Sequence, residues 1–166
     1  MKKFWMLFLS AVLLAGCSQP QAFETMSDVY EQPEVADAAQ ILLELPEDAA
    51  TPTMTGEDGA VLYLCDNYCI TVQTVPAGDL DATLRQTTGY ARDQLQLMEQ
   101  QDGNCKRYSC VWAAAGEGED QIGRAVILDD GSYHYVVSVM AGASQAGELS
   151  EVWQRLFKSI RLDIAP

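Results

Sequence analysis

Cys65, Cys69, Cys105 and Cys110 are the side chains whose type and spacing most directly invite chemistry. Two close pairs with spacers of three and four residues resemble ribbon-type spacing for a four-thiolate zinc site, and the same pairs can oxidise to two disulfides. Asp66-Asn67-Tyr68 reads as a tight turn, and a bridge needs Cα atoms about 5 to 6 Å apart, so a local bridge from Cys65 to Cys69 across a hairpin fits. Cys105 and Cys110 can also close locally, unless one strand runs through both and holds them too far apart. Neither spacing is Cys-x-x-Cys, which argues against a redox-active pair.

The other reactive side chains form no catalytic set. His134 is the one histidine, so a histidine-based metal cluster is excluded and any hydrolytic triad would have to use it. It stands in Tyr133-His134-Tyr135 without a Gly-x-Ser-x-Gly elbow, and is expected to be structural or solvent-facing. Glu117, Glu119, Asp120, Asp129 and Asp130 are weak calcium candidates that need two hairpin ends to meet; they lack the twelve-residue calcium-loop spacing. A hydrolase using two carboxylates, or calcium, is the alternative to a binding role. With 24 acidic residues, however, that condition is met too easily to discriminate. No Gly-rich phosphate loop occurs, and no cofactor is expected.

Cys17 has a different setting. Lys2 and Lys3 precede an apolar run from Phe4 to Leu14, which is short of the roughly 20 residues a spanning helix needs. Leu14-Ala15-Gly16-Cys17 closes that run and resembles the lipobox of bacterial lipoproteins. The resemblance implies cleavage after residue 16, a diacylglyceryl thioether on Cys17, export, and anchoring to a bacterial membrane with the domain outside the cytoplasm. Two acyl chains, at about 0.8 kcal/mol per buried methylene, hold a protein stably where one does not. Assigning Cys17 to lipid leaves an even set of four, and disulfides persist outside the cytoplasm, which favours bridges over zinc.

Charge narrows the partners. Removing Lys2 and Lys3 takes the net charge from −14 to −16, and no lysine or arginine occurs between Lys3 and Arg85. Charge therefore argues against nucleic acid as a partner, because phosphate binding needs clustered cations. Residues 17–39, with prolines and acids, read as a lipidated, acidic, disordered tether of about 25 Å root-mean-square reach; residues 40–166 read as one folded domain. The expected partners are the membrane, through the lipid, and an unknown envelope protein or small ligand.

The elements that would position these groups follow from periodicity. Ile41 to Leu45, stopped by Pro46-Glu47-Asp48, reads as a short strand or as the last turn of a helix begun near Val35, with the strand preferred, and Ala60 to Cys65 with Cys69 to Val75 as a hairpin. Asp79 as N-cap and Gly89 as stop bound a helix over 80–88. Strands over Gln94–Gln101, Lys106–Ala115, Gln121–Asp129 and Tyr133–Met140 form a meander with turns at Asp102-Gly103, Gly116 to Asp120 and Asp130-Gly131. Ala146, Leu149, Val152, Trp153, Leu156, Phe157 and Ile160 recur at helical spacing, with Ser144 as cap. That amphipathic helix needs a surface, expected where Tyr108, Cys110 and Trp112, and Tyr133, Tyr135, Val137 and Val139, alternate.

Trp112, Gly123-Arg124, Leu128-Asp129-Asp130-Gly131, Trp153 and Ser159-Ile160-Arg161-Leu162 together resemble the PsbP-like family. The resemblance covers about residues 40 to 164. It implies an α+β fold, an α/β/α sandwich in which an antiparallel meander is packed by a short helix and a C-terminal amphipathic helix, and a binding or accessory role. It carries no catalytic constellation to transfer, and the cysteine pairs are not part of its general pattern.

Overall fold

Alternating apolar and polar positions draw the chain into an antiparallel sheet whose two faces are both buried in part. The computed structural model describes residues 38–49, 52, 54–55 and 60–163. The chain divides into Met1–Glu34 and Val35–Pro166. The expected signal peptide, the lipobox-like segment at Cys17 and the expected tether up to residue 37 lie outside the described residues.

The strands are β1 (Gln40–Leu42), β2 (Met54–Thr55), β3 (Val61–Leu64), β4 (Tyr68–Pro76), β5 (Met98–Asp102), β6 (Cys105–Ala114), β7 (Gln121–Asp129), β8 (Tyr133–Gly142) and β9 (Arg161–Asp163). The helices are α1 (Leu80–Thr88), α2 (Ala143–Ala146) and α3 (Ser150–Ser159). Seven strands form the main sheet in the order β2-β3-β4-β8-β7-β6-β5, every neighbouring pair antiparallel. β1 pairs separately with β9, and just before it the Ala39 N–H donates to the Tyr135 hydroxyl at 3.0 Å.

Local chemistry bounds α1. The Asp79 carboxylate accepts the Asp81 N–H at 3.0 Å, satisfying one of the orphan donors of the first turn. Gly89, at φ 80°, takes the left-handed conformation that ends the helix and donates to the Arg85 carbonyl. Leu84 of α1 packs on Tyr108, Cys110, Trp112, Ala125, Ile127 and Val136. On the opposite face Trp153, Leu156 and Phe157 of α3 pack on Val126, Tyr135 and Val137.

The alternating sets of β6 and β8 therefore do not share one face. The ladders match Tyr108 to Ile127 and Ile127 to Val136, so Tyr108 sits beside Val136 and across the sheet from Tyr135. A side-chain period of two makes the hairpin register decide this, and single-strand alternation cannot.

The C-terminal helix is also interrupted. In place of one helix capped by Ser144, α2 and α3 are separated by Gly147–Leu149. Ser144 lies inside α2, and its hydroxyl donates to Glu119 Oε2 at 2.9 Å instead of capping a helix. Gly147 is a poor helix former, about 1 kcal/mol less favourable than alanine, at the point where the run breaks. Among the described residues no helix is long and apolar enough to cross a membrane.

Candidate functional site

The four cysteines are free thiols, and the expected bridges are not formed. The Cys65 N–H donates to the Tyr68 carbonyl at 2.9 Å and Leu64 pairs with Cys69, so the loop is Asp66-Asn67 and Tyr68 belongs to the strand. One residue fewer in the loop than expected sends Cys65 and Cys69 to opposite faces. A single strand, β6, runs through Cys105 and Cys110, which stand about 16 Å apart at about 3.3 Å per residue and again face opposite ways. The zinc alternative fares no better: among the described residues no three His, Cys, Asp or Glu side chains group to hold a metal ion.

Nor are these thiols activated. Burial pushes all four thiol pKa values up, that of Cys110 to about 11. For Cys65 a hydrogen bond with Tyr68 offsets part of the rise, while Asp48 adds to it. A raised pKa leaves little thiolate, the reactive form, at neutral pH.

The acidic loops do not meet. Glu117, Glu119 and Asp120 lie before β7, whereas Asp129 and Asp130 lie at its far end, about 26 Å away along the strand. Successive turns of a meander necessarily sit at opposite ends of the strand they share. The acids at the second turn are used locally. Asp129 Oδ1 accepts the Gly131 N–H, and Asp130 Oδ1 accepts the N–H groups of Ser132 and Tyr133. Asp130 Oδ2 accepts the Tyr135 hydroxyl at 2.7 Å.

His134 is structural but not solvent-facing. It is 2 % exposed beneath α1, with Nδ1 2.8 Å from the Thr83 hydroxyl and Nε2 4.0 Å from Asp129 Oδ2. Hydroxyl and imidazole thus form a hydrogen-bonded pair with the carboxylate 4.0 Å beyond, and the hydroxyl belongs to a buried residue only 7 % exposed. The Thr83–His134 contact fastens α1 to β8.

An open, largely apolar groove of about 670 Å³ lies at the outer edge of β6, lined among others by Tyr90, Leu95, Leu97, Val111, Trp112 and Arg124. It exists because β5 is short. The β5 ladder ends at Met98 opposite Ser109; continued in register, Gln94 would face Ala113 and close the edge. The expected strand over Gln94–Gln101 would have done this, but Arg92–Gln94 forms a 3₁₀ turn and the Tyr90 hydroxyl donates to the Ala113 carbonyl. Val111 and Met98 stay exposed, at 55 % and 60 %, beside the gap.

Trp112 forms one wall because of its neighbour. A Cβ on Gly123 would fall 2.2 Å from the Trp112 ring, so only glycine lets the indole lie across β7. Arg124, next in β7, extends to the other face, with its guanidinium carbon 5.1 Å from the centre of the Phe157 ring. Sequence reasoning singled out both Trp112 and Gly123-Arg124 but did not make a site of them. The available signal was the Trp112/Gly123 pair, which becomes visible only once the strands are in register.

Comparison with known proteins adds the fold. A crystal structure from Bacteroides thetaiotaomicron matches with a TM-score of 0.53 at 11 % identity, over 75 % of this chain and 46 % of that one. Cyanobacterial PsbP (CyanoP) from Synechocystis matches with a TM-score of 0.50 at 7 % identity, over 76 % of this chain and 95 % of that one. LpqN, described as involved in cell envelope biogenesis of Mycobacterium tuberculosis, matches with a TM-score of 0.49 at 12 % identity over 76 % and 86 % of the two chains. The domain is PsbP-like in fold, an α+β chain dominated by antiparallel sheet. This chain spans less than half of the Bacteroides protein. No family model matches the chain, and no curated protein matches it.

Proposed function

We propose that the protein is a lipid-anchored extracytoplasmic binding or accessory module, in which residues 1–16 are a signal peptide, 17–39 a lipidated tether and 40–166 the binding domain. Its folded part is read as the PsbP-like α/β/α sandwich, with α1 and α3 as the outer layers. The anchor is supported by Leu14-Ala15-Gly16-Cys17 behind a short apolar run. The observation that carries the binding role is the groove beside β6. An open apolar cleft with two exposed large hydrophobic residues at its rim is the kind of surface that proteins keep for recognition. None of the carboxylates, thiols or the imidazole described above converges on it, apart from the buried, unactivated Cys110 in its lining.

Two measurements test the proposal. Cys17→Ser is expected to move the protein from the membrane fraction to the soluble exported fraction; continued membrane retention overturns the anchor. A photo-crosslinking residue placed at Met98 is expected to trap a discrete partner in intact cells, and the same residue at exposed Glu148 is not. Identical patterns at the two positions would remove the groove from the proposal.

A further inference from the structure

We propose, resting on the binding role of the groove, that its ligand is an extended peptide segment that adds as a strand to the outer edge of β6 and sets an acidic side chain against Arg124. The ladder makes the edge available. The Asp130 N–H donates to the Tyr133 carbonyl, so these two form a hydrogen-bonded pair, and such pairs alternate along antiparallel strands. The even residues of β7 therefore turn their backbone groups to β8 and the odd ones to β6. Through Ala125↔Cys110 and Gly123↔Trp112, the backbone groups of Cys110, Trp112 and Ala114 face β7, whereas those of Ser109, Val111 and Ala113 face outward. The Tyr90 hydroxyl reaching the Ala113 carbonyl from outside agrees with that assignment. Ser109 is met by Met98, but Val111, next on that side, has no strand opposite it.

A peptide strand is the ligand class whose own alternating N–H and C=O groups match an edge residue left this way. Its side chains would point alternately to the two sides of the sheet, towards Leu95, Leu97 and Trp112 on one and Ile122 and Arg124 on the other. Charge selects further. The chain has 24 Asp and Glu against 10 Lys and Arg, yet none of the thirteen residues lining the groove is acidic and Arg124 is the one charged among them. Arg124 makes no ion pair among the described residues; its guanidinium lies over the Phe157 ring, a contact through its face that leaves its N–H groups to take a carboxylate as a fork of two hydrogen bonds. An acyl chain ending in a carboxylate would satisfy the apolar walls and Arg124, but would leave the Val111 backbone unmet.

The test uses the full-length lipoprotein in nanodiscs and short, end-capped peptides of alternating valine and threonine around a central glutamate. Comparison ligands carry glutamine at the centre or N-methyl groups on alternate amides, with decanoate as an acyl carboxylate. Fluorescence anisotropy reads binding, and hydrogen exchange of the segment 109–114 reads strand addition. The glutamate peptide is expected to bind and to protect that segment. The glutamine form should bind about tenfold more weakly, as expected for loss of one charge-assisted contact. The N-methylated form should neither bind nor protect. In Arg124→Gln the difference between glutamate and glutamine peptides should vanish while protection by both persists.

Binding of the N-methylated peptide, or displacement of the glutamate peptide by decanoate without protection of 109–114, overturns strand addition and leaves the groove a binding site of another kind. Protection that grows with protein concentration alone assigns the edge to a second copy and likewise overturns it. Absence of saturable binding by every probe overturns both this proposal and the binding role of the groove.

Discussion

The Tyr135 hydroxyl donates to Asp130 Oδ2 at 2.7 Å and at the same time accepts the Ala39 N–H at 3.0 Å, so one side chain joins the β7–β8 turn to the chain entering β1. Burial and the hydrogen bond to Asp130 push the Tyr135 pKa up to about 12. Burial by itself would raise the Asp130 pKa; its hydrogen bonds from Tyr135, Tyr133 and Ser132 outweigh that and hold it below the usual value. The depressed carboxyl contributes stability that is present above the unfolded aspartate value of about 3.9 and is lost as pH falls through the lower folded value. The raised phenol contributes stability that is complete below about pH 10 and is lost as pH rises through about 12. Thermal melts across pH are expected to fall on both limbs. Tyr135→Phe should lessen the alkaline limb, to which the buried thiols and Tyr68 also contribute, and weaken the acid one, whereas Asp130→Asn should lessen the acid limb; parallel curves for all three proteins would contradict the pairing.

Thr83 and His134 should behave as a buried pair. Thr83→Val keeps the shape of the side chain but leaves Nδ1 of a 2 % exposed imidazole without its 2.8 Å partner. The expected cost is about 1–3 kcal/mol, the penalty for an unsatisfied buried polar group. Thr83→Ser, which keeps the hydroxyl, should cost less. Urea denaturation with an unchanged m-value checks both, and equal stability of Thr83→Val and the parent chain would show that the hydrogen bond contributes nothing.

Local signals made part of the fold legible, and pairing hid the rest. The Asp79 cap and the Gly89 stop bounded α1 because both act within one turn of their own backbone. The turn at Asp130-Gly131 was readable for the same reason, Gly131 having φ 91°. The disposition of Cys65 and Cys69 was hidden because it hangs on whether Tyr68 belongs to a loop or a strand, a one-residue matter that flips a face, whereas the separation of Cys105 and Cys110 follows from one strand running through both. The groove was invisible because it arises from β5 starting at Met98 instead of Gln94, so that β6 outruns its neighbour. The 3₁₀ turn at Arg92–Gln94 is local, closed by Gln94 reaching back to the Ala91 N–H, but the Tyr90 contact to the Ala113 carbonyl that accompanies the early end is tertiary.

Gly123 should be intolerant of any side chain. A Cβ there meets the Trp112 ring at 2.2 Å, and that ring is fixed in the cluster under Leu84, so it can move only by disrupting the core. Gly123→Ala is expected to cost about 1–3 kcal/mol, the range for overpacking a filled interior, and to change the near-ultraviolet circular dichroism as the indole is displaced. Gly147→Ala, with nothing within 4 Å of its Cβ and an ordinary helical conformation, should instead be neutral or stabilising. An undisturbed near-ultraviolet spectrum in Gly123→Ala would argue that the indole does not lie across β7.

The thiols give a prediction that separates the structure from the spacing. Paired bridges would leave no reactive sulfur beyond a lipidated Cys17, whereas free Cys65, Cys69, Cys105 and Cys110 should all titrate with a thiol reagent once the chain is unfolded without reductant. In the folded protein the order should follow burial. Cys65 and Cys69 are half-buried and should react first, while Cys105 and Cys110 are buried and should wait on opening of β6. All four should be slow at neutral pH, since burial raises each pKa, and rates should climb with pH as the thiolate fraction grows. Mass spectrometry of the stepwise-modified protein reads the order directly. A chain that takes up no reagent even when unfolded would restore the two disulfides and require β3–β4 and β6 to adopt other registers, because the present ladders hold neither pair within bridging distance on a common face.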